Sequence, residues 1–142
     1  MALNADDKAH IKSIWPCVAA HAADYGAEAL YRMFLCEPQT KTYFPSFDFS
    51  PNSAHLKNQG KKVMNALTDV VKHLDHPEQS LSHLSDLHAF SLRVDPGNFA
   101  ILNKNILVVI AAHHSDKFDS ATHQALAKFL NCVSAILTSK YR

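Results

Sequence analysis

Two stretches of the chain carry side chains able to do chemistry. In "LSDLHAF", His88 follows Leu84 and Leu87 at helical spacing, which puts an imidazole on the apolar side of a short helix. A buried imidazole needs partners for its ring nitrogens. Two readings are open: a core histidine bonded to a backbone carbonyl, or a neutral imidazole whose Nδ1–H donates one turn back, to the Leu84 carbonyl, while Nε2 ligates a metal. In "SAHLKNQGKKV", Gln59 stands four residues before Val63 and shares its helix face. Taken alone, Gln59 is an ordinary exposed helix residue.

No Cys, Asp or Glu clusters with His88 as a zinc site would demand. A lone axial histidine suits a haem iron, because the porphyrin supplies the in-plane ligands and the protein an apolar slot. Tyr43, Phe44, Phe47, Val63, Leu92, Val94, Phe99, Leu102 and Leu137 could line it.

The elements that must position these residues are helical. Asn4 is a plausible N-cap with Asp7 three residues on, and Ile11, Ile14 and Trp15 follow at helical spacing, so a first helix runs to about Pro16. Ala22, Tyr25, Gly26, Ala29, Leu30, Met33 and Phe34 form the stripe of a second helix, ending near Cys36. "EPQTKTYFPSFDFSP" suits a short helical turn followed by an irregular, aromatic connection.

A third helix starts near Ser53, with Leu56, Gly60, Val63, Leu67, Val70 and Leu74 on its apolar side. Glycine there costs up to about 1 kcal/mol against alanine, so Gly60 marks a close helix crossing, with Gly26 its natural partner. "DHPEQS" breaks the chain and Ser80 can cap the short helix that carries Leu81, Leu84, Leu87, His88 and, at its end, Leu92. Asp95 and Pro96 open a strongly apolar helix to about His113, buried on most sides or facing a partner subunit. Asp119 or Ser120 caps the last, with Leu126, Phe129, Leu130, Val133, Ile136 and Leu137.

Composition agrees. The 142 residues are one domain's worth, and 14 Lys and Arg against 13 Asp and Glu leave a formal charge of +1, too small to concentrate nucleic acid or anionic lipid. Only 3 glycines and no Asn-Gly or Asp-Gly pair argue against a β-rich fold. Cys17, Cys36 and Cys132 form no CxxC pair and read as buried or half-buried small hydrophobes in a reducing compartment. The N-terminus lacks an apolar leader core, and the run "ILVVIAA" falls far short of the roughly 20 residues that span a bilayer. A soluble, cytosolic protein is expected. Most of the ten histidines read as scattered surface residues.

The helix order, with "TKTYFPSFD", "GKKV", "LSDLHAFSLRVDPGNF" and the terminal "LTSKYR", resembles vertebrate haemoglobin chains of the alpha type along essentially the whole chain. The resemblance implies an all-α globin fold of six to eight helices around a haem pocket, one globin domain over residues 1–142, and helix packing at roughly 50°. It implies haem b (iron protoporphyrin IX) with His88 as proximal iron ligand, Phe44 wedged against the porphyrin, Val63 lining the ligand side and Lys62 near a propionate. Tyr43, Phe47, Leu84, Leu87, Leu92, Val94, Asn98, Phe99, Leu102 and Leu137 complete the cofactor contacts. Gln59 falls where most haemoglobins carry a distal histidine. Its amide can donate to bound dioxygen, but unlike imidazole it does not titrate near neutral pH and ligates iron poorly. His55, one turn earlier, is expected at the rim as a solvated residue. Ser46 stands where many alpha-type chains place a histidine, which weakens one haem-edge contact.

The same resemblance implies a beta-type partner in an alpha2beta2 tetramer, in the red-cell cytoplasm, binding O2. One contact surface carries Arg32, Val108, Phe118 and His123. A second carries Gln39, Thr42, Tyr43, Pro45, Arg93, Asp95 and Asn98 and slides by one turn, the behaviour described for haemoglobin itself. Gln39 departs from a threonine there. Tyr141 and Arg142 would clamp the unliganded state, with Lys41 meeting the partner's end, although Ala127 replaces an aspartate that commonly pairs with the terminal arginine. Oxygen carriage without enzymatic turnover is the expectation. A haem enzyme of peroxidase or nitrite-reductase type is the alternative, and it would want a better distal base than Gln59.

Overall fold

The computed structural model describes residues 3–88 and 95–139, apart from the side chains of Asp86 and Leu87. Six α-helices and one 3-10 helix make up the regular structure of these residues: α1 (Ala5–Ala19), α2 (Ala22–Cys36), the 3-10 helix Pro38–Tyr43, α3 (Ala54–Lys72), α4 (Pro77–Leu87), α5 (Pro96–His113) and α6 (Ser120–Thr138). The expected Leu92, Arg93, Val94, Tyr141 and Arg142 lie outside the described residues, as does the side chain of Leu87.

Local chemistry sets most helix starts. Asn4 and Asp7 form a reciprocal capping box, with Asn4 Oδ1 accepting from the Asp7 N–H at 2.8 Å and Asp7 Oδ2 accepting from the Asn4 N–H at 3.1 Å. Ser53 caps α3 by accepting from the Leu56 N–H, and Asp119 caps α6 by accepting from the Thr122 N–H. Asp95 caps α5 and Pro96 takes its first position, as the sequence indicates.

Two boundaries correct the sequence reading. Helix α1 continues through Pro16 to Ala19. The hydrogen bond that Pro16 cannot donate belongs to the Lys12 carbonyl, and both residues are exposed, so water takes the place of the lost donor. Helix α4 begins at Pro77, with Ser80 inside it and no side-chain cap at His76, because a proline preset for the first turn starts the helix four residues sooner.

Helix α2 packs most extensively on α3, and also on α5, while α6 packs on α1, α4 and α5. One buried cluster joins Ile11, Trp15, Met64, Leu67, Ile110, Leu126, Phe129 and Leu130. A second, built on Leu30, Met33, Phe34 and Leu56, extends to the aromatic connection. Leu102 packs against both. Trp15, at 2 % exposure, donates its indole N–H to Thr68 Oγ1 at 2.9 Å and meets Phe129 edge-on, which locks α1 to α3 and α6. These contacts hold α3 and α5, which carry Gln59 and Phe99.

Candidate functional site: a lone histidine and an unpartnered amide

His88 follows the last residue of α4 with helical backbone angles. Its Nδ1 lies 2.8 Å from the Leu84 carbonyl oxygen. A carbonyl can only accept, so Nδ1 carries a proton, and the neutral tautomer with that proton leaves the lone pair on Nε2. Among the described residues Nε2 has no hydrogen-bond partner. The half-buried ring stands 5.5 Å from Phe99, centroid to centroid. Ser85, 2 % exposed, donates to the Ile136 carbonyl at 3.0 Å and so ties the end of α4 that carries His88 to α6.

Helix α3 brings the second chemical group. Gln59 and Val63 are half-buried and Lys62 is exposed. No described residue hydrogen-bonds the Gln59 amide. The backbone beside it is fixed by a crossing with no room for a side chain: a Cβ on Gly60 would lie 2.3 Å from the Gly26 carbonyl carbon. The pairing of Gly26 with Gly60 follows the sequence reading.

An aromatic wall forms where α2 meets the connection after the 3-10 helix. Buried Phe34 meets Phe44 at 5.3 Å, Phe47 at 6.1 Å and Phe49 at 4.7 Å, all edge-on. Phe44 and Phe47 stay half-buried, as do Val63, Leu84, Phe99 and Leu102, so each keeps apolar surface the chain does not cover. Leu137 is buried in the core. Tyr43, at 39 % exposure, accepts the Asp95 N–H on its hydroxyl at 3.1 Å, which joins the 3-10 helix to the start of α5 beside half-buried Asn98.

Several side chains depart from the sequence reading or were missed by it. His55 is exposed but not merely solvated: its Nδ1 accepts the Asp48 N–H at 2.7 Å and its ring meets Phe47 at 5.0 Å. Cys36 is exposed, not a buried hydrophobe, because it ends α2 on the side away from the core. Phe34 as the hub of the wall and Phe49 as its outer member went unassigned, although the alternation of Phe47 and Phe49 was a signal for the second.

Of the described residues expected on the subunit surfaces, Gln39, Thr42, Asp95, Val108 and His123 are exposed, while Arg32, Asn98 and Phe118 are half-buried. Arg32 Nε donates to Glu28 Oε2 at 2.9 Å, and Glu28 Oε1 lies 2.7 Å from His113 Nε2. Burial pushes the Glu28 carboxyl up, but bonds from His113 and Arg32 outweigh it and hold the group below its ordinary range. Leu35 is 60 % and Val108 40 % exposed, large apolar side chains left on α2 and α5. Phe118 packs on His123 at 5.1 Å. Gln39 and Thr42 are exposed and bonded within their own turn, Gln39 to Glu37 and Thr42 to the Gln39 carbonyl, and Asp95 is exposed.

Among the described residues no group of three or more His, Cys, Asp or Glu side chains could hold a metal by itself. Two surface hollows, of about 380 Å³ between α4 and α6 and about 450 Å³ around Lys12, Lys72 and His76, are lined by none of Gln59, Val63, Phe44 or Phe99. The chemistry therefore rests on one imidazole with an open Nε2, one unpartnered amide and partly covered apolar side chains. That donor set fits a macrocycle bringing its own in-plane ligands, and so defines a haem-binding, all-helical protein.

Comparison with known proteins agrees. The Globin family pattern matches residues 27–137. The chain is 79 % identical over all 142 residues to hemoglobin subunit alpha-C of Aquarana catesbeiana, covering the whole of both chains. It is similar to hemoglobin subunit alpha of Xenopus tropicalis, 62 % identical with both chains fully covered. To hemoglobin subunit alpha-2 of Telmatobius peruvianus it is 61 % identical, over 96 % of this chain and all of that one. The chain belongs to the globin family and, within it, to the vertebrate haemoglobin alpha subunits. Membership carries haem binding with it.

Proposed function

We propose that the chain carries O2 reversibly on ferrous haem b, as the alpha-type subunit of an alpha2beta2 tetramer with a beta-type chain in the red-cell cytoplasm, residues 1–142 forming one globin domain. The observation that carries the reading is His88, whose Nδ1 is committed to Leu84 while Nε2 is left with its lone pair. When bound, haem would supply ferrous iron, the chemistry that takes up and releases O2.

The chain's own residues do the rest. His88 Nε2 would hold the haem iron, and the Leu84 carbonyl, 2.8 Å from Nδ1, would fix its tautomer and raise its basicity. By the family resemblance, Phe44, Phe47, Val63, Leu84, Leu87, Leu92, Val94, Phe99, Leu102 and Leu137 would exclude water from a haem slot, Tyr43 and Asn98 would close its edge, and Lys62 would serve a propionate. Gln59 donates its amide N–H toward O2, and lacking a titratable nitrogen it is a poor proton acceptor for peroxide chemistry. Its relatives are oxygen carriers, which speaks for carriage over a haem enzyme. Leu35 and Val108, exposed on α2 and α5, favour a partner over the surface that includes Arg32, Phe118 and His123. Gln39, Thr42, Arg93 and Asp95 would serve the sliding contact, and Tyr141 and Arg142 the clamp.

The test is the visible spectrum of the haem-loaded chain, reduced under argon, then in air, then under argon again. A five-coordinate spectrum that converts to an oxygenated one and returns supports the reading. A six-coordinate spectrum before air, or prompt conversion to ferric, overturns it for the isolated chain. Deleting Tyr141 and Arg142 should raise oxygen affinity and lower cooperativity in the tetramer, and unchanged values would remove the clamp.

A further inference from the structure

The connection between the 3-10 helix and α3 bends sharply. Ser46 and Asn52 both take left-handed backbone angles, with φ of 62° and 60°. Asparagine adopts that region readily, whereas serine does so less often. A segment bent in this way keeps one conformation only if neighbouring groups hold it.

The holds converge on Asp48 and come from the start of α3. The Asp48 N–H donates to His55 Nδ1 at 2.7 Å, and the Asp48 carbonyl accepts from Ser53 Oγ at 2.7 Å. The Asp48 side chain accepts from both the N–H and the hydroxyl of Ser50. The ring of His55 also lies 5.0 Å from that of Phe47, which leans on Phe44 at 5.2 Å and Phe34 at 6.1 Å. One imidazole thus fixes the backbone just after Phe47 and backs the Phe47 ring itself.

We propose that His55 is a positioning residue for the haem pocket, holding Phe47 against the cofactor through Nδ1 on the Asp48 N–H and through its ring on Phe47. The proposal rests on the reading above that Phe47 contacts haem. His55 touches neither haem nor O2 in this role; it sets how long the aromatic wall stays closed, and hence how fast haem escapes.

The experiment measures the rate at which the ferric, haem-loaded chain gives up haem to an excess of a haem-free globin whose loaded form differs in colour. His55→Ala should accelerate loss about fivefold, the effect of losing one solvent-accessible hydrogen bond with its ring contact. His55→Asn, whose Oδ1 replaces Nδ1, should recover at least half of that change, and His55→Phe, which keeps only the ring, less. Phe47→Ala is the control for the underlying reading and should accelerate loss as well. If Phe47→Ala has no effect, the haem contact and the proposal both fail. If Phe47→Ala accelerates loss but His55→Ala does not, or if His55→Asn behaves as His55→Ala, the contact stands and the positioning role is overturned.

Discussion

Gly26 and Gly60 meet backbone to backbone: a Cβ built on Gly26 would lie 2.3 Å from the Gly60 carbonyl oxygen. The obstacle is main chain on both sides, so no rotamer change can relieve it. Alanine at either position should therefore cost more than the about 1–3 kcal/mol usual for an overpacked core, despite its better helix propensity. Gly97→Ala is the contrast, since its nearest neighbour would be Asp95 Oδ1 at 3.6 Å, ordinary contact, and it should be close to neutral. Urea unfolding of the haem-loaded variants measures the difference. Equal costs at Gly60 and Gly97 would contradict the crossing as described.

Gly60 also sets where Gln59 stands, so the amide can be tested on its own. Gln59→Leu keeps bulk and removes the donor. If the amide donates to O2, its loss should weaken oxygen binding and speed oxidation to ferric by about tenfold, the size of a hydrogen bond worth about 1.4 kcal/mol. Gln59→His should slow oxidation relative to the parent. Oxygen dissociation and autoxidation rates of the three proteins decide it, and three identical sets would leave Gln59 without a distal role.

The parts of this arrangement legible in the sequence were those decided within a few residues. Asn4 with Asp7, Asp95 with Pro96, and Leu84 with His88 each complete their interaction within one helical turn, and each is found as the spacing indicates. Pro16 shows the limit, because a proline inside a helix is tolerated or not according to whether the orphaned carbonyl reaches water. His55 was legible as an exposed residue but not as a hydrogen-bond acceptor, since that depends on how an irregular segment folds back on it. Tyr25 and His114, 89 residues apart in sequence, could not be joined from spacing at all.

Trp15 and Thr68 provide a prediction about the core. The indole N–H donates to Thr68 Oγ1 at 2.9 Å, and Thr68 Oγ1 donates in turn to the Met64 carbonyl at 2.8 Å. Thr68→Val preserves shape but orphans a donor on a side chain only 2 % exposed. The cost should be roughly 1–3 kcal/mol, whereas Thr68→Ser, which keeps the hydroxyl, should lose less. Thermal unfolding and Trp15 fluorescence, the chain's one tryptophan, report on it. Should Thr68→Val be as stable as the parent, the bond adds nothing.

The surface around Tyr25 should make stability depend on pH. Tyr25 is stacked between His21 at 5.0 Å and His113 at 4.7 Å, and its hydroxyl lies 2.9 Å from His114 Nε2. Burial pushes the phenol up, with the nearby Cys17, Glu28 and Asp24 adding to it, so the hydroxyl stays protonated and can donate to His114 in the tautomer whose Nε2 carries the lone pair. Burial also holds the His114 imidazole below its ordinary value; Asp116 opposes this, while Lys117, His113 and His21 reinforce it. For a base with its folded pKa depressed, the unfolded chain takes up the proton first. The contribution of His114 is therefore fully present above the unfolded value of about 6.5 and is lost as pH falls from there through the folded value. His114→Gln places an amide oxygen where Nε2 accepts and cannot titrate, so its unfolding midpoint should fall less between about pH 7 and about pH 5 than the parent's. Parallel curves for the two proteins would show that the Tyr25 bond is not the proton-sensitive element.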